Sequence, residues 1–166
     1  MSLADRLRKE GFKPSESTDG EWVPYKGTYK VKWVTCRNEI DEKNGNAPFV
    51  LAEWDILETI EGDQRRDSKY PAFKKRYYFD LVNPQDEEKE VKNLQKFLDA
   101  AFHFGVELDF SSPEALTQGY AKLIGLEGYL RAYGWKPDGQ ENTYQMFNFQ
   151  KAGVAEKKRT AGSNSL

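Results

Sequence analysis

The sequence predicts a mainly β domain with an inserted α-helix. Two observations predict it. Apolar and polar residues alternate with period two in stretches near both ends of the chain, and between them lies a run whose apolar residues recur at helical spacing behind a proline.

Taken in order, residues 2–10 suit a short helix capped by Ser2 and stopped by Gly11, with Leu3 and Leu7 on one face, and residues 13–20 read as a linker. From Thr28 onward Tyr29, Val31 and Trp33 alternate with Lys30, Lys32 and Val34, the pattern of a strand with one buried face. After a turn-rich connection at 41–46, residues 49–60 put Val50, Ala52, Trp54 and Ile56 on one side and Glu53 and Asp55 on the other, so the two strands should pair as a hairpin. Residues 61–75 read as a polar, basic loop, and residues 76–82 as a third strand, with Tyr77, Phe79 and Leu81 alternating against Arg76, Tyr78 and Asp80.

Asn83 and Pro84 then provide a cap and a first-turn proline, followed by an acidic stretch that suits the positive end of a helix. Val91, Leu94, Leu98, Ala101 and Phe102 form an apolar stripe that Gly105 ends. Ser112-Pro113-Glu114 opens a second, shorter helical stretch by the same logic. In the last third, Leu126, Gly128, Leu130 and Ala132 alternate with Glu127, Tyr129, Arg131 and Tyr133; a turn at 136–140 and a strand at 143–150 complete a hairpin. Glycines at 125, 128 and 134 suit a strongly bent strand. Five strands with a helix between the third and fourth is the chain order of a five-stranded OB-type barrel. The expected division is an N-terminal arm with a short helix (1–20), an OB-type domain (21–151) and a mobile polar C-terminal tail (152–166).

Composition bounds the function. A chain of 166 residues is the size of one ordinary domain, and 14% aromatic residues are enough to build its core. Cys36 is the single cysteine and His103 the single histidine, which excludes an intramolecular disulfide and any zinc site needing two His or Cys ligands. No phosphate-loop or dinucleotide motif occurs, and the carboxylate pairs Glu39/Asp41 and Glu53/Asp55 lack a second cluster. The expectation is therefore a non-enzyme without metal or cofactor, with His103 a helix-end packing residue and Cys36 structural. Lacking a leader-like or membrane-spanning segment, the chain is expected in a reducing, cytoplasmic compartment and away from membranes.

Net charge is -2, which argues against a uniformly positive coat for nucleic acid. Charge is segregated, however: Arg65, Arg66, Lys69, Lys74, Lys75 and Arg76 crowd one stretch, while Asp86, Glu87, Glu88 and Glu90 crowd another. Single-stranded nucleic acid is held by cations that track phosphates and by aromatic faces on which bases stack. The run Lys69, Tyr70, Phe73, Lys74, Lys75, Arg76 and Tyr78 interleaves the two residue types. Tyr129, Arg131, Tyr133 and Trp135 would do so from one face of the fourth strand, and Lys30 and Lys32 add cations on the first. The bland alternative is that these rows only cover each other on the sheet.

The order of features resembles a family of bacteriophage-encoded single-stranded-DNA-binding proteins with an OB fold. The resemblance rests on residues 24–29, 49–56, 76–81, 94–105 and 125–130 and spans about residues 22–150. It implies sequence-tolerant binding to single-stranded DNA during phage DNA replication or recombination in a bacterial host cell, with no catalysis and no cofactor. Implied partners are single-stranded DNA and replication or recombination proteins, with homo-oligomers also open. One departure is the terminus: Lys157-Lys158-Arg159 and a polar run stand where many such proteins carry an acidic, apolar-tipped tail. The competing expectation is a protein-interaction or virion-associated β-barrel module whose Tyr/Arg face meets protein instead of nucleic acid.

Overall fold

The computed structural model describes residues 4–5, 25–62 and 71–155. Five strands, β1 (Gly27–Asp41), β2 (Ala47–Gly62), β3 (Phe73–Tyr78), β4 (Glu127–Trp135) and β5 (Tyr144–Gln150), form one antiparallel sheet in the order β3-β2-β1-β4-β5. Helices α1 (Glu87–His103) and α2 (Pro113–Leu123) both lie between β3 and β4 in the chain.

The period-two reading of β1, β2 and β4 holds. Tyr29, Val31, Trp33, Val50, Ala52, Trp54, Ile56, Leu130 and Ala132 are all buried on the inner face. Trp33 and Trp54 stand opposite each other in register with rings 4.8 Å apart, and burying an aromatic side chain of this size contributes about 1.5–3 kcal/mol. The far end of the β1–β2 hairpin is pinched where Gly27 faces Gly62, at φ 148° and 106°. A Cβ on Gly27 would stand 2.1 Å from the Glu61 carbonyl oxygen, so only glycine permits this approach.

The sheet curls until its edge strands come near each other, with the rings of Phe73 (β3) and Phe147 (β5) 5.4 Å apart. Among the described residues no ladder joins β3 to β5, so the observed architecture is an open five-stranded sheet and the expected barrel closure is not seen.

Several boundaries differ from expectation. β3 begins at Phe73 and ends at Tyr78, earlier than the expected 76–82, because Phe73 and Tyr77 are its inward anchors despite the cations between them. The cap of α1 is Asp86, whose side chain accepts from the Lys89 N–H, and not Asn83. Glu90 gathers the preceding loop by accepting from the backbone N–H groups of Asp80, Gln85 and Asp86 at 2.7–2.8 Å. The buried stripe of α1 is Phe97, Ala100 and Ala101, whereas Val91 and Phe102, expected in it, are exposed. The stripe is rotated because Phe97 packs on Tyr77 and Trp33, which fixes the helix face turned to the sheet.

At α2 the Ser112 cap stands as expected, its hydroxyl accepting from the Ala115 N–H. This helix packs on β1 through Asn38, which accepts from the Tyr120 hydroxyl at 2.8 Å and donates to Thr117 at 2.9 Å. Gly128 of β4 lies under Phe104, where a Cβ would approach the ring to 2.8 Å. Ala4 and Asp5 are helical, and the rest of the expected arm lies outside the described residues. The segment expected as a tail opens with a helical turn at 152–155 whose Ala155 is buried, so its start is packed; residues 156–166 lie outside the described residues. Among the described residues, no helix is long and apolar enough to cross a membrane.

Candidate nucleic-acid interface

The side chains expected to bind separate into three groups, because strand alternation sends neighbours to opposite faces. Lys69 and Tyr70 lie outside the described residues. On β3, Phe73 is 1% exposed and packs against Tyr25, Tyr29 and Phe147, so its expected role as a binding residue is corrected to a core role. Lys75 shares that inner side, opposite Ala52, and is half-buried.

Lys74, Arg76 and Tyr78 point outward, but the last two are engaged in holding the hairpin. Arg76 lies 5.0 Å over the Phe49 ring and 3.9 Å from Asp41, and donates to the Tyr78 hydroxyl at 3.4 Å. Tyr78 in turn donates to Asp41 at 2.9 Å and packs on Phe49. Tyr78 is thus tied into the hairpin through its hydroxyl and its contact with Phe49, while remaining half-buried on the outward side.

The cations of β1 are matched by acids across the sheet. Lys30 faces Glu58 on β2 and forms an ion pair with Glu127 at 3.6 Å, and Lys32 lies between Asp55 on β2 and Glu127 on β4. Opposite charges directly across a sheet stabilise the pairing, which weakens the case for both lysines as phosphate contacts.

The β4 row is different. Tyr129, Arg131, Tyr133 and Trp135 share the outer face as expected, and the β5 residues in register with them are Gln150, Asn148, Met146 and Tyr144. None of these carries a negative charge. Asn148 donates to the Tyr133 hydroxyl at 3.3 Å. Trp135 and Tyr144, paired at the end of the ladder, are 51% and 44% exposed. Arg131 thus sits among aromatic faces with no carboxylate opposite, a surface suited to stacking planar rings and pairing with phosphate.

Beside this face, between the edges of β3 and β5, opens a cleft of about 630 Å³. Lys74, Lys75, Arg76 and Tyr77 form one wall, residues 145–149 the other, and Lys96 and Asp99 of α1 contribute from the helix. Burial, and then the neighbouring Lys96, lower the Lys75 ammonium below its ordinary pKa. Sequence reasoning misses Tyr144, Met146, Asn148 and Lys96. The first three follow from applying the β4 alternation to its hairpin partner, whereas Lys96 is brought to the site by tertiary packing alone.

His103 lies in the last turn of α1, its Nδ1 2.8 Å from the Asp99 carbonyl oxygen and its ring 6.2 Å from Phe149. Cys36 is partly buried on the inner side, where burial pushes its thiol up to about 12 and leaves little thiolate at neutral pH. No protein-family model matches the chain, and no curated protein matches it.

Proposed function

We propose that this chain binds single-stranded DNA without strong sequence preference, through an OB-type barrel whose ligand face is the outer side of β4 and β5. The observation that carries the reading is the ladder Tyr129, Arg131, Tyr133 and Trp135, backed in register by neutral β5 residues. Bases of every kind offer a π-face to such rings, which makes the binding tolerant of sequence. The OB-type assignment is supported by β1 pairing with both β2 and β4, by the approach of β3 to β5, and by helices placed between β3 and β4. Replication or recombination of phage DNA is the setting in which such an activity would serve.

The test is a titration with oligo-dT over a salt series, alongside duplex of equal length. Tighter binding to oligo-dT, weakening steeply with salt, supports the reading; equal or tighter binding to duplex defeats it. A second reading, the protein-interaction module, is favoured by Val91 and Phe102, which are exposed on one side of α1. It takes over if oligonucleotides of both kinds fail to bind.

A further inference from the structure

The cleft between β3 and β5 has the attributes of a ligand site in its own right. Its volume of about 630 Å³ lies within the ~300–1,000 Å³ of formed ligand pockets. Among the described residues its charged lining is cationic, with Lys74, Lys75, Arg76 and Lys96 against Asp99. Arg76 is committed to Asp41 and Phe49, and Lys74 sits across from Glu53 on the outer face. Lys75 and Lys96 remain, one from the strand and one from the helix, and among the described residues neither has an ion pair. Asp99 is turned toward His103, with its carboxylate 3.6 Å from Nδ1.

Two ammonium groups gathered at a half-buried cleft repel each other, and an anion between them would relieve that cost. Burial first, and then Lys96, lower the pKa of the Lys75 ammonium, in keeping with two cations lining one cleft. The cleft also adjoins the ladder, because Met146 and Asn148, in register with Tyr133 and Arg131 on the outer face, line the cleft together with Phe147 and Phe149. A strand stacked on the outer face of β4 and β5 need only cross the edge of β5 for its backbone to enter.

We propose that the β3–β5 cleft is a phosphate subsite, in which Lys75 and Lys96 hold a backbone phosphate of single-stranded DNA whose bases stack on the β4–β5 face. This rests on the single-strand-binding reading of that face, and it adds a point of attachment on the other side of β5.

The experiment is oligo-dT binding by the full chain across a salt series, comparing wild type, the double variant Lys75→Gln/Lys96→Gln, and Tyr133→Ala, with thermal midpoints measured in parallel. The double variant should bind several-fold more weakly at 0.15 M salt, and its log–log salt slope should flatten by about 0.7 for each phosphate that is no longer neutralised. Tyr133→Ala should weaken binding with its slope unchanged. An unchanged slope in the double variant, with wild-type binding intact, overturns the subsite and leaves the face reading standing. Absence of wild-type binding overturns both. Preferential capture of a poly-glutamate peptide over oligo-dT, abolished in the double variant, would overturn the subsite by reassigning the cleft to an acidic protein segment. Lys96 is exposed, so Lys96→Glu alone gives the same readout if the double variant does not fold.

Discussion

The two hairpins of the sheet, β1–β2 and β4–β5, follow the same alternation and use their outer faces in opposite ways. On β1–β2 the outward cations are answered by acids, with Lys30 opposite Glu58 and Lys32 opposite Asp55. On β4–β5 the outward arginine and aromatics are answered by Gln150, Asn148, Met146 and Tyr144. The two lysines of the first arrangement need no ligand, since each has an acid across the ladder. On the second, Arg131 has Asn148 on β5 and Thr28 on β1 in register with it, so no acid stands opposite its guanidinium, and it is on this difference that the proposed binding face rests. A basic or aromatic strand is thus informative about binding only once its cross-strand partners are known.

The comparison would be tested most severely on the inner side of β1. Trp33 is wholly buried against Trp54, Phe97 and Phe104, so Trp33→Ala should cost about 3–5 kcal/mol in chemical denaturation. A loss under about 1 kcal/mol would mean that the inner face is wrongly assigned. Next in size is an alkaline effect on the same hairpin. The Cys36 thiol is raised from its ordinary 9.0 to about 12 in the folded chain, so the folded state holds its proton more tightly than the unfolded state. That contribution is present in full below about pH 9 and is lost as pH climbs from there to about 12. Denaturation midpoints should fall through that window, and Cys36→Val should fall less steeply, retaining the part due to Tyr77 and Tyr120, whose phenols burial also pushes up.

On the other hairpin, Tyr133→Ala or Trp135→Ala should weaken oligo-dT binding by about 1–3 kcal/mol per stacked base while moving stability by less than about 1 kcal/mol. The reverse pattern would put these rings in a structural role. The smallest effect is expected at Lys32, where replacement by Gln should change affinity by less than about 0.5 kcal/mol, because Asp55 and Glu127 already flank the charge. A large effect there would erase the distinction between the hairpins.

Much of this fold is legible in the sequence, and the misses have physical causes. The inner rows of β1, β2 and β4 are plain because each buries every second residue, and the outward placement of Tyr129, Arg131 and Tyr133 follows from the same alternation. The start of β3 is obscured because Lys74, Lys75 and Arg76 give it the composition of a loop, although Phe73 and Tyr77 still sit at strand spacing. The buried face of α1 is ambiguous because Val91 and Phe102 compete with Phe97 and Ala100 for the apolar side, and only the rings on the sheet decide between them. The neutralisation of Lys30 and Lys32 depends on register, and the meeting of Lys75 with Lys96 depends on helix docking. Neither is written in local pattern.

The strand β5 has a consequence for how the chain behaves when it comes apart. Tyr144-Gln145-Met146-Phe147-Asn148-Phe149-Gln150 contains no charge and no proline, and it combines aromatic residues with amide side chains in seven consecutive positions. Such segments stack into cross-β fibrils once their backbone is free. In the folded sheet one edge of β5 is covered by β4, and the other faces the lysines of β3 across the cleft, which discourage a second β5 from docking there. Opening of that hairpin by heat or by a protease would expose the whole segment at once. Amyloid-like deposition would then compete with refolding, and the scan rate and protein concentration would set how much folded protein returns after heating.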